Sequence, residues 1–242
     1  MLRIVYWCMG LFAVCFVLLA QAQDFEVIKR AAEQGDAESQ YNLGIMYFSG
    51  NGVAENDNEA EKWIREAAEQ GYAPAQNSLG SMYISGYVVG QNHAEAVKWI
   101  RKAAEQGYAP GQVSLGVMYA GGMGVAQNSA EATKWYMRAA EQGDSGAQFL
   151  LGMRYVKSGN VAKFGRRYTS DSGDVVKDDA EAVKWFRRAA EQEHSGAQYL
   201  LGMMYEEGHG VVKDDVEAMK WYTKATEHGH KDAQNALKRM EK

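Results

Sequence analysis

Serine residues are the first group in this 242-residue chain whose spacing could support catalysis. A serine with lysine three residues later places a base one helical turn from a nucleophile, as serine acylation in β-lactamases requires. None of the twelve serines has a lysine at that spacing, and the Lys-Thr-Gly triplet is also absent. The sequence therefore indicates no serine acylation chemistry.

Histidines and glycines form two further groups that resemble ligand sites. His228, His230 and Asp232 lie together in HGHKD, but the chain has no His-Glu-x-x-His motif, and a structural zinc site without cysteine would be unusual. We interpret His228 and His230 as exposed turn residues. The run Gly121-Gly122-Met123-Gly124 lacks the Lys-Ser/Thr pair that holds phosphate, so it is predicted to be a turn. We expect no metal and no cofactor.

Glutamates recur at one position of a repeated phrase. These residues are Glu59, Glu95, Glu131, Glu181 and Glu217. Each lies in the predicted first turn of a helix, where the helix dipole favours a negative charge. We therefore predict no catalytic residue and no enzymatic activity. A cell-envelope enzyme or a peptidoglycan-binding protein remains the alternative.

The elements that carry these residues repeat every 36 positions. Trp63, Trp99, Trp135, Trp185 and Trp221 are separated by 36, 36, 50 and 36 residues. Each unit contains two stretches with apolar residues three and four apart, which predicts two helices. Asn or Asp begins the second helix in every unit, and Gly follows it in most, as expected of helix caps.

The repeated pattern A-x-x-Q-x-x-L-G-x-x-Y-x-x-G-x-G-V-x-x-[ND]-x-x-E-A-x-x-W-x-x-x-A-A-E-x-G resembles the Sel1-like repeat family, which is related to tetratricopeptide arrays. The resemblance covers nearly all of residues 24–242. It implies an all-α fold, a right-handed α-solenoid of five helix-turn-helix repeats with half-repeat caps at both ends. It also implies a scaffold for protein–protein interaction, of a kind often found in bacterial envelopes or in secreted form.

The chain is predicted to have eight segments. They are a signal peptide (1–22), an N-terminal capping helix (23–35), repeats at 36–71, 72–107, 108–143, 144–193 and 194–229, and a C-terminal capping helix (230–242). The fourth repeat contains a 14-residue insertion at 158–171.

Residues 1–22 have the layout of a cleaved secretory signal peptide. Arg3 precedes an apolar run from Ile4 to Ala20, and Ala20 and Ala22 form the small-residue cleavage pattern. An uncleaved membrane anchor is the alternative. We expect a secreted or periplasmic protein with no stable membrane span after cleavage. The remaining chain has no cysteine, and its 25 basic and 31 acidic residues do not favour nucleic-acid binding.

Residues that vary at a fixed place in the repeat are candidates for contact with a partner. One such row follows the repeated glutamine and comprises Tyr41, Asn77, Val113, Phe149 and Tyr199. By analogy with related solenoids, the first helices line the concave surface that partners use. Burial of this row or of the adjacent one between units is equally open, since periodicity alone does not orient a short helix.

The insertion contains Phe164, Arg166, Arg167 and Tyr168, and residues 157–173 have a local charge of +3. It is either a specificity element for an acidic partner, carbohydrate or anionic surface, or a loop that a repeat tolerates at little cost. The sequence thus predicts a secreted or periplasmic bacterial scaffold that binds an envelope or host protein on its concave face. A role in host interaction or virulence is an extension of the family resemblance and the predicted secretion.

Overall fold

The computed structural model describes residues 24–156 and 177–241, in which there are twelve helices and no strand. The helices are α1 (24–33), α2 (Ala37–Ser49), α3 (Asp57–Glu69), α4 (Ala73–Ser85), α5 (His93–Glu105), α6 (Ala109–Gly121), α7 (Ser129–Glu141), α8 (Ser145–Tyr155), α9 (Asp179–Glu191), α10 (Ser195–Glu207), α11 (Asp215–Glu227) and α12 (Lys231–Met240). The prediction of an all-α fold is confirmed. The predicted signal peptide and the insertion at 158–171 lie outside the described residues.

The chain forms two compact units, one up to Gly111 and one from Gln112 onward. In the first unit α2 packs on α3, α3 on α4, and α4 on α5. In the second unit α7 packs on α8, and each helix from α8 to α12 packs on the next. The first helices α4, α8 and α10 therefore each contact the second helix of their own repeat and the second helix before it.

Side-chain caps define where the second helices begin. The Oδ1 atom of Asn56 accepts hydrogen bonds from the backbone N–H groups of Asn58 and Glu59, and Asn92, Asp178 and Asp214 make the same pair of contacts. Asn128 caps α7 through a single bond to Glu131. These bonds satisfy N–H groups that have no partner within the helix. The predicted N-caps are therefore confirmed.

A close approach between the two helices of a repeat sets the core. Gly44 in α2 lies against Ile64 in α3, and a Cβ at residue 44 would stand 2.6 Å from Ile64 Cγ1 and 3.0 Å from the Ala60 carbonyl oxygen. In the second unit the equivalent glycines, Gly152 and Gly202, face the buried rings of Phe186 and Tyr222. The glycine is thus required by packing, and the residue after each tryptophan fills the space beside it.

The described helices lack the properties of membrane-spanning helices. None of the helices in residues 24–156 and 177–241 combines the length and the apolar character needed to cross a bilayer.

Candidate interaction surface

A buried glutamine orients the first helices α2, α4, α8 and α10. The Nε2 atom of Gln76 donates to the carbonyl oxygen of Ala68 at 3.1 Å, and the same bond joins Gln40 to Ala32, Gln148 to Ala140, and Gln198 to Ala190. Because the glutamine side chain points into the core, the next residue along the helix stands at the edge of the core. The predicted contact row occupies this edge, and all five of its members are half-buried.

In the first unit, Tyr41 packs on the first residue of the following repeat. Its ring centroid lies 5.6 Å from that of Tyr72, the N-cap of α4, and its hydroxyl is 3.3 Å from Ser78 Oγ. Tyr41 therefore bridges α2 and α4 with one side of its ring.

In the second unit, Phe149 and Tyr199 make the corresponding contact with histidines. Phe149 stacks on His194 with centroids 4.7 Å apart, and Tyr199 stacks on His230 at 4.5 Å. Both histidines are N-caps, since Nδ1 of His194 accepts from the Ala197 N–H and Nδ1 of His230 from the Ala233 N–H. Burial lowers the pKa of both histidines.

The prediction that His230 is an exposed turn residue is wrong. Its ring is half-buried because it caps α12 and stacks on Tyr199. His228 is exposed, as predicted, yet its Nδ1 atom lies 3.0 Å from Gln198 Oε1. His228 thus takes the place that a glutamine occupies at the end of the second helix in the other repeats.

The predicted row consequently has two surfaces. Tyr41, Phe149 and Tyr199 pack on the next repeat, and because each is only half-buried, part of each side chain is exposed to solvent. In the adjacent row, Asn42 is exposed whereas Leu200 is buried.

More exposed apolar residues lie on the same stripe of α2, at positions that sequence reasoning did not select. Ile45 and Phe48 follow Tyr41 by four and seven residues and are 38% and 43% exposed. Their helical spacing from Tyr41 was the available signal. On α6 the equivalent of Ile45 is Val117, which is also exposed, but on α8 the equivalent is Met153, which is buried. The stripe is thus more exposed on α2 and α6 than on α8.

A hollow of about 460 Å³ lies beside this stripe in the first unit. It is lined by Ile45, Phe48, Ile64, Ser78, Ser81, Met82, Ser85 and Tyr87. Phe48 and Tyr87 meet edge to face, with ring centroids 6.2 Å apart.

Two further predictions concern metal binding and the insertion in the fourth repeat. In the described ranges, no group of three or more His, Cys, Asp or Glu side chains is placed to hold a metal ion. Phe164, Arg166, Arg167 and Tyr168 of the insertion lie outside the described residues.

Comparison with known proteins gives a consistent family. The model of the Sel1 repeat matches residues 37–72, 73–108, 109–144, 145–194 and 195–230, each one residue later than the predicted repeat boundaries. No match was found among the curated proteins.

Three solved structures resemble the chain. A protective antigen present in uropathogenic Escherichia coli strains, which displays an SLR fold, is 38% identical with a TM-score of 0.78 and is aligned over 89% of this chain and 43% of its own. A Sel1 repeat protein from Oxalobacter formigenes is 33% identical with a TM-score of 0.73, over 90% and 86% of the two chains. A Sel1 repeat protein from Klebsiella pneumoniae, at 24% identity and a TM-score of 0.55 over 90% and 99%, shares the fold. The chain therefore spans less than half the length of the E. coli antigen.

Proposed function

This chain belongs to the Sel1 repeat family and is an all-α solenoid, and from that premise we propose that it is a scaffold that binds a protein partner on the exposed stripe of its first helices. Proteins of this family generally act as scaffolds for protein interaction and are typically not catalytic. The observation that carries the proposal is the stripe formed by Tyr41, Ile45 and Phe48, which presents large apolar groups on a rigid helix.

The physical basis of binding is a preformed surface. Helices held by caps and by the buried glutamines need little ordering when a partner arrives, so less of the interaction energy is lost to entropy. Aromatic residues supply the large amphipathic area that interface cores favour. The exposed parts of Tyr41, Asn77, Val113, Phe149 and Tyr199 are proposed contacts on this surface, and Phe164, Arg166, Arg167 and Tyr168 are proposed as a second contact element.

The proposed location is outside the cytoplasm, in secreted or periplasmic form. The support is the charged, apolar and small-residue pattern of residues 1–22. A role in host interaction is supported by the relative from uropathogenic E. coli, which is a protective antigen. The proposed partner is an envelope or host protein, and the chain itself is proposed to have no enzymatic activity.

Site-specific photo-crosslinking tests the binding face. A photoreactive phenylalanine analogue is placed at Ile45 or Val117 on the first helices, and at the exposed Lys98 or Lys184 on the second helices as matched controls. We expect one partner to be crosslinked in native cells from the first-helix positions and not from the controls. Equal crosslinking from Lys98 would place the interface elsewhere, and no crosslink at any position would contradict the scaffold proposal.

A turnover assay tests the remaining alternative. Purified protein is incubated with nitrocefin and with muropeptides, and we expect no hydrolysis above that of buffer. Saturable hydrolysis of either substrate would favour a cell-envelope enzyme instead.

A further inference from the structure

The hollow in the first unit is apolar because of what forms its base and walls. The buried side chains of Ile64 and Met82 lie beneath it, and Ile45 and Phe48 of α2 form one wall. Its volume of about 460 Å³ falls in the range of roughly 300–1,000 Å³ that is common for ligand pockets. It therefore has room for at least one large side chain of a partner.

Three serines on α4 keep the opposite wall open. Ser78, Ser81 and Ser85 are three and four residues apart, so they lie on one face of the helix. The hydroxyl of Ser81 donates to the Asn77 carbonyl oxygen, and that of Ser85 donates to the Met82 carbonyl oxygen. The Ser78 hydroxyl lies 3.3 Å from that of Tyr41, so all three serines contribute small size rather than free hydrogen-bonding groups to the hollow.

The aromatic edge of the hollow is unusually exposed. Tyr87 is 64% exposed and contacts Phe48, which is itself 43% exposed. Single exposed apolar residues are normal, but several that meet around one concavity are typical of a binding site.

Carboxylates stand at the Tyr87 end of the hollow. The negative charge of Asp57 and its hydrogen bond with the Tyr87 hydroxyl raise the pKa of Tyr87, with a smaller contribution from Glu55. The Oδ1 atom of Asp57 is buried and accepts no hydrogen bond from the described residues.

The first unit as a whole is acidic, which also favours a positively charged partner. Residues 24–111 contain 13 Asp and Glu against 7 Lys and Arg, a net charge of −6, whereas residues 112–242 contain 18 of each and are neutral. The acidity of the chain is therefore concentrated in the unit that holds the hollow. Such an excess attracts a basic partner over a distance set by salt screening.

We infer that this hollow binds a segment of a protein partner in which an aromatic or long aliphatic side chain stands next to arginine or lysine. The apolar side chain would lie against Phe48 and Met82, and the cation would pair with Asp57 and Glu55. Arginine suits this position best because its planar group binds a carboxylate through two hydrogen bonds and stacks on an aromatic ring such as Tyr87. The inference rests on the proposed scaffold function and names the chemistry of its partner.

Selection from a displayed library of random twelve-residue peptides tests the chemistry of the occupant. The full chain without its predicted signal peptide is the bait, and an enriched peptide is then titrated by fluorescence anisotropy. We expect the enriched peptides to place Phe, Tyr, Trp, Leu or Met next to Arg or Lys. No enrichment, or enrichment of acidic sequences, would overturn the inference.

Filling the hollow tests its location. Ser81→Trp places a large ring in the hollow, and Val216→Trp adds a ring at an exposed position of α11, which is a second helix. We expect Ser81→Trp to weaken peptide binding about tenfold or more, as when a central interface anchor loses its pocket, while Val216→Trp has little effect. Phe48→Ala, which removes an exposed ring without adding bulk, serves as a second variant and should also weaken binding. Equal affinities for all variants would overturn the inference.

Neutralising the carboxylates tests the proposed cation site. The double change Glu55→Gln and Asp57→Asn is compared with Asp215→Asn and Glu227→Gln, which alters the net charge equally in the second unit. We expect only the first pair to weaken binding and to reduce its dependence on salt. The same loss with both pairs would show that net charge alone attracts the peptide, and the site would be wrong.

Three outcomes identify a different occupant of the hollow, a wrong site or a wrong premise. If light scattering shows a concentration-dependent dimer that Ser81→Trp abolishes, a second copy of the chain fills the hollow and the inference is wrong. If the photo-crosslinked partner is retained by Ser81→Trp and is not displaced by the selected peptide, the inference fails while the scaffold function stands. If wild-type protein crosslinks no partner, the scaffold function fails.

Discussion

Gln106, the C-cap of α5, donates a hydrogen bond from its side-chain amide to Oε1 of Gln76 in α4 at 2.7 Å. Gln76 is buried and also donates to the carbonyl oxygen of Ala68 in α3 at 3.1 Å. The same amide pair recurs as Gln70 with Gln40, Gln142 with Gln112, and Gln192 with Gln148. Gln76 therefore joins α5, the second helix of its own repeat, to α3, the second helix of the repeat before it.

Removing the buried glutamine of this pair should lower the free energy of unfolding more than removing the exposed one. Gln76→Ala leaves the Ala68 carbonyl and the Gln106 amide without this partner, and we expect it to lower the free energy of unfolding by about 1–3 kcal/mol. Gln106→Ala removes the bonds from an exposed amide to Gln76 and to the Lys102 carbonyl oxygen and should cost about 0.5–1.5 kcal/mol. Urea unfolding followed by circular dichroism measures both. Equal losses would show that burial of Gln76 does not matter.

Adding a methyl group at the helix contact should also destabilise the first unit. Gly44→Ala would place its Cβ 2.6 Å from Ile64 Cγ1, so α2 and α3 have to move apart. We expect a loss of about 1–3 kcal/mol in the free energy of unfolding, which is the usual cost of overpacking. Gly90→Ala is the control, because a Cβ there meets nothing within 4 Å. A similar loss for both variants in urea would contradict the proposed contact.

Local features of the fold were predictable because the chain repeats them. Asn92 lies seven residues before Trp99 and caps α5, as its counterparts cap the other second helices. Gly107 follows the end of α5 and has a φ of 88°, a conformation that glycine adopts easily. Such features depend on a few neighbouring residues, so the sequence alone was sufficient to predict them.

Contacts between repeats were not predictable in the same way. Phe149 and His194 are 45 residues apart, and their stacking depends on how α8 and α10 are placed by α9. The exposure of Ile45 depends equally on its neighbour, since the serines of α4 are too small to cover it. Periodicity assigns residues to one face of a helix but does not reveal what lies opposite that face.

Phe149→Ala tests how much one ring of the predicted row contributes to packing between repeats. Its ring stacks on His194 and lies 6.0 Å from the ring of Phe186, so we expect a loss of about 2–4 kcal/mol in the free energy of unfolding. Phe48→Ala removes the same side chain from an exposed position and should cost about 1 kcal/mol or less. Urea unfolding of both variants provides the comparison. An unchanged stability for Phe149→Ala would mean that its ring contributes no packing between repeats.

The two histidine caps link stability of the second unit to pH. His194 and His230 accept a backbone hydrogen bond through Nδ1, which only an unprotonated Nδ1 can do. Burial is the main cause that lowers the pKa of each below 6.5. Asp144 opposes this effect at His194, as Asp232 does at His230, whereas the charge of His230 adds to it at His194.

Replacing both histidines with aspartate should reduce the pH dependence of unfolding. The pKa of each histidine in the folded protein lies below its unfolded value of 6.5, so the unfolded chain binds more protons. The contribution of the histidines to stability is therefore full above pH 6.5 and is lost as the pH falls through the folded pKa. Between about pH 7.5 and about pH 5, we expect the free energy of unfolding to fall more steeply for wild-type protein than for the His194→Asp, His230→Asp variant. The reason is that an aspartate with a pKa of about 3.9 stays charged over this pH range. Asp36 and Asp144 already cap the equivalent helices, so the variant keeps its caps. Urea unfolding at several pH values measures the difference, and parallel profiles for the two proteins would show that the histidines do not titrate on unfolding in this range.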